Sequence, residues 1–295
     1  MRRRAPRIHD GIPAIAAVAA PFGRDLDRCL QSIERTLKHA QARDADLVVF
    51  PEAALGGYLY EPIAAGERRT VGPPPALRPD GEEIARLVRA AGPTVVCVGY
   101  TEDGEDGLYS SAVCLSGDGV LGHHRKVHVP PAERGTFLSG NRFASFDTPL
   151  GRMGMLICYD KVFPESAREL SLSGAVIMAS LAAWPVSRVN PSSRIVRDRQ
   201  VRHFNLLDQT RAFENQVVWA SANQCGSFGR LRFPGQAKVV DPDGRVLART
   251  GKRSGLALAQ IDARRATAAA REGLSHLEDR RPGAYEPPPG SLAPA

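Results

Sequence analysis

No apolar stretch in this 295-residue chain is long enough to cross a bilayer. The longest candidate near the start, residues 12–22, is Ala-rich and is interrupted by Pro13 and Pro21. Met1-Arg2-Arg3-Arg4 has the basic character of a signal-peptide start, but Asp10 follows it and the short apolar run leads straight into a structured pattern. The reading is a cytoplasmic protein with a frayed basic end over residues 1–10. Cysteine is sparse, and the five residues (Cys29, Cys97, Cys114, Cys158, Cys225) form no CxxC pair. An odd count without regular spacing argues against a disulfide framework and for reduced thiols. Aromatics are also few, with ten Phe, six Tyr and two Trp, and no zinc-finger, helix-turn-helix or RNP-like signature occurs. The formal charge of +7 therefore reads as a scattered arginine-rich surface and not as a nucleic-acid platform.

What is present is a layered α/β pattern. Residues 14–20 form a short apolar strand, and Asp25 caps a helix with Leu26, Cys29, Leu30, Ile33 and Leu37 at helical spacing. Asp46-Leu47-Val48-Val49-Phe50 reads as a strand covered on both faces. Residues 71–81 read as a loop, 82–91 as a helix and 94–100 as a strand. A hairpin follows over 111–115 and 120–124, turning at Gly117-Asp118-Gly119. A second joins 143–146 to the strand ending at Cys158 through Pro149-Leu150-Gly151. Next come a helix over 165–173, a strand over 175–180, one long helix over 194–213 and a strand over 217–222. A last hairpin turns at Asp241-Pro242-Asp243-Gly244, and the strand 255–261 ends the core. Hairpins among β-α units point to a mixed sheet in one α/β domain over 11–265. Residues 266–295, with Pro287-Pro288-Pro289, form an extension that is extended or disordered unless a partner surface holds it.

Three strand ends carry reactive groups. Met153-Gly154-Met155-Leu156-Ile157-Cys158-Tyr159-Asp160 ends a buried strand just before a helix start at Phe163-Pro164-Glu165, a strand-to-helix elbow that suits a nucleophilic thiol. A small buried hydrophobe fits the same position. Phe50-Pro51-Glu52 places a carboxylate at a second strand end, where a capping or surface glutamate is the alternative. His124-Arg125-Lys126-Val127-His128 places an amine after a third, and the nearby loop Glu133-Arg134-Gly135-Thr136-Phe137 adds a second carboxylate. His123, His124 and His128 lack the spacing of a metal site. Together these groups supply thiol acyl transfer: Glu52 as general base, Lys126 as a fixed cation for the oxyanion, and the Tyr159 N–H beside the nucleophile.

These motifs resemble the nitrilase superfamily of carbon-nitrogen hydrolases. Its Glu-Lys-Cys triad matches Glu52, Lys126 and Cys158, and its auxiliary glutamate matches Glu133 in Glu133-x-x-x-Phe137-x-x-Gly140. Trp184-Pro185 and Arg211-Ala212-Phe213-Glu214-Asn215 match as well, so the resemblance spans residues 12–261. It implies a single-domain four-layer α-β-β-α sandwich, a homodimer or higher homo-oligomer, and neither metal nor organic cofactor. Glu133 would then orient the substrate amide or Lys126. Strict nitrilases carry Cys-Trp-Glu at the elbow, whereas this chain has Cys158-Tyr159-Asp160, which is similar to the amidase branches. Carbamoylases place two arginines where Lys161 and Val162 stand; the one remaining cation leaves an acidic substrate open, but the bidentate arginine clamp is gone. The lipoprotein acyltransferase branch needs membrane spans. The resemblance therefore implies hydrolysis of a small carboxamide, with N-carbamoyl substrates as the alternative. Tyr58, Tyr159, Phe163 and Trp184 are candidates for shaping the substrate, and core packing accounts for each equally well. A non-catalytic binding relative and a thiol redox sensor at Cys158 are further readings, but neither needs all four reactive groups.

Overall fold

Alternation of small apolar residues sets up two sheets that share one interior. The computed structural model describes residues 11–59 and 72–285. The basic start and the Pro-rich end lie outside them, as does most of the proline-containing loop after Tyr58. β1 (Ala14–Ala20), α1 (Leu26–Gln41) and β2 (Ala45–Val49) open the chain. Asp25 caps α1 by accepting the Arg28 N–H at 3.0 Å, and Cys29, Leu30, Ile33, Leu37 and Ala40 are its buried stripe. β3 (Ala76–Leu77), α2 (Glu82–Ala91), β4 (Val95–Gly104), β5 (Gly107–Ser116) and β6 (Gly119–Arg125) complete the first half.

The second half runs through β7 (Phe146–Thr148), β8 (Gly151–Ile157), α3 (Pro164–Leu172), β9 (Ile177–Ala182), α4 (Arg199–Asn215) and β10 (Val218–Phe228). β11 (Leu231–Pro234), β12 (Lys238–Val240), β13 (Val246–Arg249), β14 (Gly255–Gln260) and α5 (Ala263–Arg271) follow. The strand order is β6-β5-β4-β2-β1-β10-β9-β8-β7. β1 meets β10 only at Ala19↔Asn223 and Ala20↔Gln224, and antiparallel β14 occupies the rest of its edge. The two halves therefore diverge from a short seam and fold over each other.

The period of two decides which side chain goes where. Ile15, Ala17, Leu47, Val49, Val95 and Cys97 share one core with Met153, Met155, Ile157, Ile177, Ala179 and Leu181. Their neighbours Ala16, Val18, Val48 and Val96 turn outward under Leu30, Ile33, Ile84 and Leu87 of α1 and α2. Leu156, Met178 and Trp219 turn outward under Ala167, Leu170 and Ala212 of α3 and α4. The result is the expected α-β-β-α sandwich in a mixed sheet.

Some local expectations need correction. The long helix over 194–213 is broken: a single 3₁₀ turn, Ile195–Arg197, precedes Asp198, and α4 starts at Arg199. The Asp198 carboxylate accepts the Gln200 N–H at 2.9 Å and the Ser187 N–H at 3.0 Å, so it caps a helix and cannot sit inside one. Residues 143–145 do not pair in the second hairpin, and Phe143 instead stacks on the His124 ring at 5.4 Å. The strand over 94–100 extends to Gly104, because it forms a hairpin with β5 whose last pair is Gly104↔Gly107. β11 and α5 were not anticipated, and α5 runs through residue 265, where the expected domain ends.

Candidate active site

Glu52 lies just beyond β2 on a turn in which Ala53 adopts φ +54°. The turn presses against β4 at Gly99, where an added Cβ would stand 2.8 Å from Glu52 Cα. Only glycine allows that approach. Lys126 follows β6, with its N–H on Ser110 O and its carbonyl accepting the Gly140 N–H, both at 2.8 Å. An added Cβ at Gly140 would overlap the Arg125 carbonyl oxygen. Gly140 thus holds the loop carrying Glu133 against the lysine. Cys158 opens a 3₁₀ turn, Cys158–Val162, with φ +48°, a left-handed conformation that costs a non-glycine residue about 1–3 kcal/mol and tends to persist at functional elbows.

These elements bring all four sequence-derived candidates together. The Lys126 ammonium lies 2.8 Å from Glu52 Oε1 and 2.8 Å from both Glu133 carboxylate oxygens. Glu52 also accepts the Ala183 N–H at 2.8 Å on Oε2, and its backbone carbonyl accepts from Gln224 Nε2 at 3.1 Å. Lys126, Glu52 and Glu133 are at most 1% exposed and Cys158 is 7% exposed.

Electrostatics follow from one buried cation between two carboxylates. Burial disfavours the Lys126 ammonium, but Glu133 and then Glu52 outweigh it and hold the amine protonated well beyond its usual range. Burial raises the Glu133 carboxyl against the pull of Lys126. Burial also pushes the Cys158 thiol well up; Glu52 adds to this and Lys126 opposes it. The resting sulfur is thus a thiol that needs a base as it reacts. The Tyr58 phenol, raised by burial and by Glu133, stays protonated and donates to Glu133.

The elbow is braced by Asp160, which sequence reasoning used only as a branch marker, together with His124, His128 and Arg211. Asp160, fully buried, accepts the Ile157 N–H at 3.0 Å and His124 Nε2 at 3.1 Å on one oxygen. Its other oxygen accepts the His128 N–H at 2.9 Å and Nδ1 at 3.0 Å. The two histidines flanking Lys126 are therefore tied to the turn carrying Cys158. Arg211 Nε donates to Lys161 O at 2.9 Å and Nη2 to Val162 O at 2.8 Å, which explains the arginine on the long helix.

The four aromatic candidates separate. Tyr58 joins the cluster through Glu133. Tyr159 and Phe163 meet edge-to-face at 5.2 Å and line a cavity of about 340 Å³ with Val127, His128, Arg134 and Phe137. None of the four reactive residues lines that cavity, although Val127, Arg134 and Tyr159 each directly follow one of them. Trp184 is packed, its indole N–H on Gln200 O at 3.1 Å and its ring 6.0 Å from Phe204. Lys161, the one cation that left an acidic substrate open, is fully buried with its ammonium on Asp208 at 2.7 Å. The reason is that its turn directs it into the core. Among the described residues no group of three or more His, Cys, Asp or Glu is placed to hold a metal.

Comparison with known proteins places the chain in a family. A family profile described as carbon-nitrogen hydrolase matches residues 14–271. An (R)-stereoselective amidase from a Pseudomonas species is 31% identical over 88% of this chain and 88% of its own. A nitrilase from Pyrococcus abyssi is 32% identical over 75% of this chain and 78% of its own. A solved carbon-nitrogen hydrolase from Helicobacter pylori G27 shares the fold, with a TM-score of 0.79 at 22% identity over 93% of this chain and 97% of that one. On profile, sequence and fold, the chain belongs to the carbon-nitrogen hydrolase family.

Proposed function

We propose that this protein is an amidase that hydrolyses a small carboxamide to a carboxylate and ammonia through a thioester on Cys158. The observation that carries the reading is the Lys126 ammonium held at 2.8 Å from both Glu52 and Glu133 beside a thiol on a left-handed elbow. Glu52 takes the thiol proton as sulfur attacks the amide carbon, and the Lys126 ammonium with the Tyr159 N–H receives the developing oxyanion. Collapse expels ammonia, which leaves with the proton from Glu52. Glu52 then takes a proton from water, whose oxygen attacks the thioester, and the thiol is restored. Glu133, steadied by Tyr58, orients Lys126 and the substrate amide. Tyr58, Tyr159 and Phe163 shape the substrate, and Trp184 contributes through the wall it packs into. A homodimer in the cytoplasm is part of the same proposal.

The elbow Cys158-Tyr159-Asp160 favours amides over nitriles, and the burial of Lys161 against Asp208 counts against clamping the carboxylate of an N-carbamoyl amino acid. The test is ammonia release from a panel of primary amides, N-carbamoyl amino acids and nitriles, with Cys158→Ala beside the native protein. Release from amides that vanishes in the variant is expected. Release from nitriles alone, or equal release by the variant, overturns the reading.

A further inference from the structure

The cavity beside the elbow carries a cation that the chemistry above leaves unused. Val127, Arg134 and Tyr159, which line it, are each joined by one peptide bond to Lys126, Glu133 and Cys158 respectively. Each of these lining Cα atoms therefore stands about 3.8 Å from the Cα of a reactive residue. Three such anchors on three separate segments, with the Lys126 ammonium 2.8 Å from Glu133, set the cavity beside the reacting groups. Ammonia leaves an amide without needing a pocket of its own. A space of about 340 Å³ at this place therefore suits the acyl part of the substrate.

The lining is largely apolar, with one permanent charge. Phe163 meets Tyr159 edge-to-face at 5.2 Å and stacks on the His128 ring at 3.7 Å. Asp160 holds His128 in turn, accepting Nδ1 at 3.0 Å and the backbone N–H at 2.9 Å. Phe137 is buried, and its N–H closes a turn on the Glu133 carbonyl at 3.1 Å. Arg134 lies within that turn, followed by Gly135 at φ +87°. Its Nε donates to Val129 O at 3.3 Å, and its two terminal nitrogens have no partner among the described residues. No carboxylate among the described residues lines the cavity, and the neighbouring Glu133 is committed to Lys126 and Tyr58. Lys161, the cation that follows the elbow, is turned into the core onto Asp208. The positive charge available to a ligand here is the planar fork of Arg134.

We propose, resting on the amidase reading above, that Arg134 is a specificity residue and that the substrate is a carboxamide with a carboxylate at the far end of its acyl chain. The guanidinium holds that carboxylate while the amide meets Cys158. Arg134 is exposed, and an exposed ion pair contributes little on its own. A carboxylate seated against the aromatic walls is shielded from water and meets the guanidinium through two parallel N–H donors, so the same pair counts for more there.

The test is ammonia release from the monoamides of butanedioic, pentanedioic and hexanedioic acid, each beside the neutral amide of the same chain length. The native protein is expected to turn over at least one acid amide with kcat/KM about tenfold above its neutral counterpart, the size of one charge-assisted hydrogen bond. Most of that preference should lie in KM, because the carboxylate is bound in the ground and transition states alike. Arg134→Met should lower the acid-to-neutral ratio by about the same tenfold, and Arg134→Lys should keep part of it. A purely structural arginine would slow acid and neutral amides alike, so an unmoved ratio in Arg134→Met overturns the inference. A native protein that prefers no acid amide over its neutral counterpart also overturns it, whether or not the variant folds. Ammonia released from neither series sinks the amidase reading itself, and this inference with it.

Discussion

Replacing Lys126 by methionine keeps most of the side-chain volume and removes the cation bonded to two buried carboxylates, Glu52 and Glu133. Glu52 would keep the Ala183 N–H at 2.8 Å and Glu133 would keep the Tyr58 hydroxyl, so neither is stripped of every partner. Removing one member of a buried ion pair costs about 3–5 kcal/mol, and these retained bonds place the expected loss toward the lower end of that range at pH 8. The loss should depend on pH in a definite direction. Without the ammonium the Glu133 carboxyl, already raised by burial, loses the cation that opposes that rise, so the folded variant binds more protons than the native fold does. Stability relative to the native protein therefore falls as pH rises and recovers as pH drops toward the unfolded glutamate range of about 4. Urea unfolding at pH 5, 6.5 and 8 measures this, and Lys126→Met/Glu133→Gln should regain part of the loss by removing one uncompensated charge. A loss below about 1 kcal/mol that does not vary with pH would refute the picture of a buried three-charge cluster.

Other outcomes follow from the braces around the cluster. Gly140→Ala should destabilise the fold by about 1–3 kcal/mol in thermal unfolding and lower kcat more than KM, because the new Cβ overlaps the Arg125 carbonyl next to Lys126. Asp160→Asn should cost about 1.5–3 kcal/mol by weakening bonds to a charged acceptor. Burial opposes ionisation of the Asp160 carboxyl, but hydrogen bonds from His124 and His128 hold it well below the usual range. A depressed folded pKa stabilises above the unfolded value of about 3.9 and is lost as pH falls toward the folded one, so Asp160→Asn should flatten the acid limb of the stability profile.

Much of the architecture was legible because periodicity is set by burial. β1 and α2 were read at their observed bounds, and the four-layer arrangement came from the resemblance carried by the strand-end motifs. Glu52, Lys126, Glu133 and Cys158 were also legible, since each follows a strand end or sits in a glycine-containing loop. Contacts made across the chain were not. Ala183 reaches Glu52 from 131 residues away through its backbone N–H, which has no side-chain signature. For Lys161, read only as the one cation remaining where carbamoylases carry two arginines, nothing local announces Asp208, 47 residues on, as its partner. The β4–β5 hairpin did have a signal, Asp106-Gly107 after a strand, and was overlooked because the apolar run ended earlier. Asp198 looked like helix interior until its bonds to Ser187 and Gln200 showed it to be a cap.

The most direct measurement is intact mass of the protein quenched within milliseconds to seconds of mixing with a reactive primary amide, in native, Glu52→Gln and Cys158→Ala forms. The expected result is an added mass equal to the acyl group less one hydrogen, mapped to Cys158 and absent in Cys158→Ala. An adduct that persists in Cys158→Ala, or amide turnover undiminished in that variant, would contradict Cys158 as the acyl-carrying nucleophile.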